Sequence, residues 1–322
     1  MYWENYILSR SLDEALSMLA CYDGGAQVVA GGTDLVLQLK ERKRQVKALV
    51  DISRLTELKE IRKTDGWLRI GALSTHTQIA GSPLIQAAAA ALAEAAACVG
   101  STQVRNAGTV GGNVVNALPA ADTSIALLAL DARATIVSEK GETIRPLSDL
   151  FRGVGQSTVD PTTEIVSEFL LPLSSGRTAS SFKRLSRRKA LGLPILNAAI
   201  DVELTSDLKN FRGVRIAVGP VAPVPWRARD AEALLEGSPV SGKLIREACL
   251  LAAEKAMPRD SLRGSAAYRR EMVKVLVYRA IRAAVEKLGG CIEWIGSPSV
   301  KLGGLAALHD SADIVMITVS LL

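Results

Sequence analysis

The sequence predicts an α+β protein of several units, and three features of the 322-residue chain predict it. A capped helix and two short apolar runs enclose a glycine pair near the start, and strands mix with an alanine-rich helix around a second glycine pair in the middle. The later third reads as three strands followed by three helices. The length suits two or three compact units. With 48% apolar and only 4% aromatic residues, the core is aliphatic and the composition argues against disorder.

Ser11-Leu12-Asp13-Glu14 reads as a capping box, and Leu12, Ala15, Leu16 and Leu19 recur behind it at helical spacing. Asp23-Gly24-Gly25 ends that helix. Residues 26–30 read as a buried strand, and Ala30-Gly31-Gly32-Thr33-Asp34 turns into a short helix from 33 to about 40, with a second strand at 46–52. These make a small β-α-β unit whose glycine turn sits where a helix start can face phosphate.

In the middle, 67–74 alternates like a strand, 87–98 reads as the alanine-rich helix, and Gly108-Thr109-Val110-Gly111-Gly112-Asn113 reads as a second glycine loop. A helix at 122–130 and strands at 134–138, 143–147 and 165–171 follow, and Ser174-Ser175-Gly176 marks a linker. The third unit has strands at 180–187, 195–204 and 214–218, then helices at 229–235, 243–256 and 265–288, with Leu276, Ala280 and Ala283 on one stripe of the last. The tail, 289–322, has no assigned role; its end, 314–322, is apolar and β-prone.

The net charge of +6 is unevenly spread: residues 1–176 carry −3, residues 177–288 carry +11 and the remainder −2. The basic region is either a face for a polyanion or acidic subunit, or a solvated arginine-rich surface; nucleic acid is not required. Cys21, Cys98, Cys249 and Cys291 are far apart and His76 and His309 are the only histidines, so no metal or iron–sulfur site is expected on this chain and buried, reduced thiols are. Residues 1–10 lack a basic and apolar leader pattern and no run approaches a membrane span, so the chain reads as cytoplasmic.

The two glycine segments carry the chemistry. A glycine pair removes the Cβ wall, permits positive φ and lets backbone N–H groups converge on an anion. Neither segment is followed by Lys-Ser/Thr, and neither is a G-x-G-x-x-G fingerprint, which excludes the generic nucleotide motifs. What remains is a bipartite cradle with Thr33, Asp34, Thr109, Asn113 and Asp122 as polar groups for phosphate or ribityl hydroxyls.

The order of these segments resembles the FAD-binding medium subunit of the molybdenum hydroxylases, the family of xanthine dehydrogenase and aerobic carbon monoxide dehydrogenase. The likeness runs through Ala30-Gly31-Gly32-Thr33-Asp34, Val50-Asp51-Ile52, Ile70-Gly71-Ala72, Thr75-His76 and Gln103-Val104-Arg105-Asn106. It continues through Thr109-Val110-Gly111-Gly112-Asn113, Pro119-Ala120-Ala121-Asp122, Phe151-Arg152-Gly153, Phe182-Lys183, Pro220-Val221-Ala222-Pro223 and Tyr268-Arg269-Arg270, covering residues 1 to about 288.

The resemblance implies a vanillyl-alcohol-oxidase-type (PCMH-type) FAD-binding fold in two subdomains, 1–54 and 55–175. A C-terminal α+β domain of the CO dehydrogenase flavoprotein type, 176–288, closes over the flavin, and 289–322 has no counterpart. It implies that Gln27, Val28, Val29, Ala30, Gly31, Gly32, Thr33 and Asp34, together with Gly108, Thr109, Val110, Gly111, Gly112 and Asn113, hold the FAD pyrophosphate through backbone N–H groups. Asp122 would bond ribityl or ribose hydroxyls, and Val99, Ile165 and Lys183 would line the flavin. From the residues alone Lys183 reads equally as a surface lysine, Asp34 as a helix cap, Arg105 as a brace for its loop and His76 as a structural hydrogen-bonder.

The same resemblance implies partners: a small subunit with iron–sulfur clusters and a large subunit with the molybdenum cofactor, arranged as a dimer of heterotrimers. Electrons would pass through the clusters to FAD here and on to NAD⁺ or another acceptor, with no catalytic residue on this chain acting on the organic substrate. The first segment and Gln103-Val104-Arg105-Asn106 look most like xanthine dehydrogenases; carbon monoxide, nicotinate and aldehyde oxidisers share the scaffold. A stand-alone flavin-binding or assembly protein and a single-chain flavin oxidase are the other readings. Arg187-Arg188 is followed by Lys189-Ala190-Leu191, where many relatives carry acidic residues, and no cysteines are inserted for an extra cluster.

Overall fold

Short apolar segments near the N-terminus pair in parallel because a capped helix and a glycine turn return the chain to the same edge. The structure, a computed structural model, describes residues 2–174, 176–188 and 191–292. Strands β1 (Asn5–Leu8), β2 (Ala26–Val29) and β3 (Ala48–Asp51) form a parallel sheet in the order β1-β3-β2, with α1 (Leu12–Cys21) and α2 (Leu35–Lys40) in the crossovers. Helix α1 lays Ala15, Leu16 and Leu19 into a core with Ala48, Val50 and Ile52. Its capping box is half formed: Ser11 Oγ accepts from the Glu14 amide at 3.1 Å, while the Glu14 carboxylate accepts from the Arg10 amide at 2.7 Å. On the open edge of β2, the Val28 amide donates to Pro161 O at 3.0 Å, which draws a loop of the middle unit alongside.

The middle unit begins with β4 (Ile61–Thr64) and β5 (Trp67–Gly71) and then gives way to helices: α3 (His76–Gly81), α4 (Pro83–Ala88), α5 (Ala90–Ala97), α6 (Thr102–Ala107), α7 (Val110–Val115) and α8 (Asp122–Ala129). Strands β6 (Arg133–Ser138), β7 (Gly141–Pro146), the small β8 (Phe151–Gly153) and β9 (Gln156–Ser157) pair, and β10 (Ile165–Pro172) complete it. The sheet is antiparallel, ordered β4-β5-β10-β6-β7. Two expectations change. The alanine-rich helix is interrupted at Ala89 (φ −146°, ψ 51°), where the Ala91 amide donates instead to Ser180 Oγ of the third unit at 3.0 Å. The second glycine segment is mostly helix: Thr109 caps α7, its Oγ1 accepting from the Gly112 amide at 3.1 Å, so Gly111, Gly112 and Asn113 lie within the helix.

The third unit follows the sequence reading closely. Strands β11 (Arg177–Ser186), β12 (Pro194–Leu204), β13 (Phe211–Gly219) and β14 (Trp226–Arg227) form an antiparallel sheet in chain order. Helices α9 (Arg229–Leu235), α10 (Gly242–Lys255) and α11 (Ala266–Lys287) cover one face, where Ala198, Ile200 and Val202 pack. The other face, with Phe182, Ala199 and Ala217, joins the core of the middle unit through α5 and α8, and every residue of α8 is buried. The α11 stripe is Val273, Leu276, Val277, Ala280, Ile281, Ala284 and Val285; Ala283 lies beside it, half-buried.

Of the four thiols only Cys249 is fully buried; Cys21 and Cys291 are exposed and Cys98 is intermediate, so the expectation of four buried thiols fails. Among the described residues no cluster of His, Cys, Asp and Glu can hold a metal, and no helix is long and apolar enough to cross a membrane. The apolar run at 314–322 lies outside the described residues.

Candidate cofactor-binding site

A cavity of about 440 Å³ opens beyond the carboxyl end of β2, between the β-α-β unit and the middle unit. Gln27, Val28, Val29, Ala30, Gly31, Gly32, Thr33 and Asp34 form one wall; Gly108, Thr109, Gly111, Gly112 and Asn113 form another, with Val99 beside them and Ile165 from β10 opposite. The fold thus brings the two glycine segments to one place.

Each glycine has a local reason. A Cβ on Gly31 would stand 1.9 Å from the carbonyl oxygen of Ala107, so only glycine lets the first segment touch the end of α6. Gly32 is at φ +67°, the left-handed region that reverses the chain into α2. A Cβ on Gly111 would meet Ala72 O at 2.8 Å, because the Gly111 amide donates to that oxygen at 2.8 Å.

The two segments are not equivalent as anion binders. The amides of Gly31, Gly32, Thr33 and Asp34 donate to no protein acceptor among the described residues. In the second segment, the Val110 amide donates to Ser74 O at 3.0 Å, Gly111 to Ala72 O, Gly112 to Thr109 Oγ1, and Asn113 to Thr109 O at 3.0 Å. The backbone donors left for an anion are therefore those of residues 31–34 and of Thr109, and the second segment otherwise offers side chains. Asn113 Oδ1 accepts from Thr123 Oγ1 at 2.7 Å and Ser124 Oγ at 3.1 Å, which leaves its Nδ2 donors unengaged. Val110 faces away from the cavity, fully buried in the core.

The charges around the cavity are mixed. Asp34 makes no cap bond to α2; burial raises its pKa, and hydrogen bonds with Asn116 and Thr33 offset this in part. Asn116 also accepts from Gln38 Nε2 at 3.4 Å, tying α7 to α2. Glu164 is neutralised by Arg145 at 2.9 Å. Arg44 and Arg152 line the cavity without an ion pair among the described residues, and they are the cations that reading the glycine segments missed. Arg44 gave no sequence signal beyond a basic residue in a loop, and Arg152, in β8, stood only within the Phe151-Arg152-Gly153 segment of the resemblance. Arg105 is a brace, its guanidinium donating to Val99 O at 3.0 Å and Thr102 Oγ1 at 3.2 Å.

Two expected ligands lie elsewhere. Asp122, 5% exposed, accepts from Asn197 Nδ2 at 2.8 Å and pairs with Arg184 Nε at 3.3 Å, so it ties α8 to the third unit instead of facing hydroxyls in the cavity. Burial pushes its carboxyl up to about 6, although Arg184 and Asn197 pull it down. Lys183 is half-buried on β11 opposite Ala198 and does not line this cavity.

A cradle of free amides, glycines that a Cβ would displace, and two unpaired cations fit the diphosphate of a dinucleotide. Comparison with known proteins gives the class. The model described as FAD binding domain in molybdopterin dehydrogenase matches residues 3–174, and CO dehydrogenase flavoprotein C-terminal domain matches 180–284. The chain belongs to this family of FAD-binding subunits of molybdenum hydroxylases, and its α+β architecture is the one expected.

Among its relatives, the nicotinate dehydrogenase FAD-subunit of Eubacterium barkeri is 30% identical, over 89% of this chain and 98% of that protein. The xanthine dehydrogenase FAD-binding subunit of Escherichia coli O157:H7 is 29% identical, over 90% and 98%. Carbon monoxide dehydrogenase from Hydrogenophaga pseudoflava superposes with a TM-score of 0.83 at 29% identity, covering 88% of this chain and 98% of that one.

Proposed function

We propose that this chain holds FAD in the cavity beyond β2 and serves as the electron outlet of a molybdenum hydroxylase complex. The four uncommitted amides of residues 31–34 carry the reading. In it, those amides and the Asn113 side chain bind the diphosphate, Arg44 and Arg152 offset its charge, and Val29, Ile165 and Val166 exclude water. When bound, FAD supplies the conversion between single electrons from an iron–sulfur cluster and a hydride for NAD⁺ or another acceptor.

The division into 1–54, 55–175 and 176–288, a cytoplasmic location, and partners comprising a small iron–sulfur subunit and a large molybdopterin subunit in a dimer of heterotrimers belong to the same proposal. Relatives named for xanthine, nicotinate, carbon monoxide and glyceraldehyde share the scaffold at 29–30% identity. A xanthine-type substrate therefore rests on Gly31-Gly32-Thr33-Asp34 and Gln103-Val104-Arg105-Asn106 alone. Native isolation of the chain tests the proposal: FAD, iron and molybdenum should co-elute, and the complex should reduce NAD⁺. A flavoprotein that elutes alone would remove the subunit reading.

A further inference from the structure

One buried polar side chain of the cavity has no side-chain hydrogen bond among the described residues. His76, the first residue of α3, is 2% exposed and lines the cavity, yet its Nδ1 is sealed from solvent without a hydrogen bond. Neither ring nitrogen makes a hydrogen bond among the described residues, and Nε2, unlike Nδ1, is not sealed, so it is the nitrogen a ligand in the cavity can reach. The position of the ring is fixed: the His76 amide donates to Gly108 O at 3.2 Å, and Thr75 caps α3 through a complete capping box.

The ring also marks the seam between the two glycine segments. A Cβ on Gly108 would stand 3.3 Å from His76 Cδ2 and 3.5 Å from Thr33 Oγ1. Burial, with the charge of Arg105 adding to it, lowers the His76 pKa to about 4, so the imidazole is neutral at neutral pH, with one N–H and one lone pair. Nδ1 has no acceptor within reach, which favours the tautomer with its proton on Nε2, the ring nitrogen left to reach the cavity.

We propose that His76 is a binding residue for the dinucleotide, donating Nε2–H to a diphosphate oxygen held by the amides of residues 31–34. This rests on the FAD reading above. Five donors, four amides and one imidazole, then converge at the seam, and the neutral ring adds no charge beside Asp34.

The test uses the full chain with its complex, depleted of flavin, and three probes: FAD, ADP as a diphosphate without flavin, and riboflavin as a flavin without phosphate. His76→Phe keeps a ring without nitrogen, and His76→Asn ends near the Nδ1 position, so both lose the donor. His76→Gln places an amide N–H near Nε2. Both loss variants should bind FAD and ADP about tenfold more weakly. His76→Gln should stay within about threefold of wild type, and riboflavin should be unaffected throughout. The flavin-free His76→Phe protein should melt no lower than wild type, because it removes an unsatisfied nitrogen.

Unchanged FAD affinity in both loss variants would overturn the inference while leaving the FAD reading intact. Equal weakening of all three probes would assign His76 a shape role and overturn it too. A wild-type protein that binds none of the probes would overturn both.

Discussion

Replacing Gly31 by alanine probes the contact that joins the two halves of the site. Gly31 has no left-handed φ, so the cost of a methyl group there is purely steric. The new Cβ must retreat from 1.9 Å to at least 3.0 Å from Ala107 O, a separation of about 1.1 Å between two backbone segments that no side-chain rotation can supply. Overpacking of this kind costs about 1–3 kcal/mol, and a backbone-to-backbone clash belongs at the upper end. For a chain of this length, about 3 kcal/mol lowers Tm by roughly 6 °C.

Gly66→Ala is the control: φ is +79° with nothing within 4 Å of the added Cβ, so it carries only the left-handed cost of about 1 kcal/mol, roughly 2 °C. Thermal unfolding of the flavin-free protein and fluorescence titration with FAD separate the effects. Gly31→Ala should lose both stability and at least about tenfold in FAD affinity, a change of about 1.4 kcal/mol, whereas Gly66→Ala should lose only stability. A Gly31→Ala protein that melts with wild type and binds FAD equally well would refute the reasoning.

The remaining predictions concern charge. Substituting Arg44 and Arg152 together by glutamine should weaken FAD binding and flatten its salt dependence, measured as affinity against ionic strength; an unchanged slope would remove both from the site. Arg184→Met leaves Asp122 buried without its cation and should destabilise the fold by about 3–5 kcal/mol in chemical denaturation. Asp122 itself sets a pH dependence. Its folded pKa, about 6, lies above its ordinary 3.8, so between those values the native state binds more protons than the unfolded one and stability falls as pH rises. Asp122→Asn removes that slope, so urea unfolding at pH 4 and pH 7 should show the variant gaining on wild type at the higher pH; a constant difference would contradict the assignment.

The sequence was most readable where one element answers to local forces. Helix α9 spans Arg229–Leu235, where the spacing puts it, and α10 and α11 begin after Ser241 and Ser265, whose hydroxyls cap them. Long-range contacts were not readable. The break at Ala89 answers to Ser180, far along the chain, and β1 forms only because β3 returns beside it. The glycine segments showed where the cavity would be, but not that Ser74, Ala72 and Thr109 take up the amides of Val110, Gly111, Gly112 and Asn113. Asp122 matched a family position, yet its carboxylate answers to Arg184 and Asn197, residues that sequence spacing cannot bring near. His76 gave only a lone histidine; its missing partner is visible in three dimensions alone.

The central claim is that residues 31–34 and the walls around them hold FAD. The direct measurement is the flavin released by denaturing the natively purified chain, identified by chromatography and counted against protein. The account predicts one FAD per chain, with a visible absorption band that bleaches on reduction, and its loss in Gly31→Ala. A chain that carries no flavin, or carries FMN in place of FAD, would contradict it.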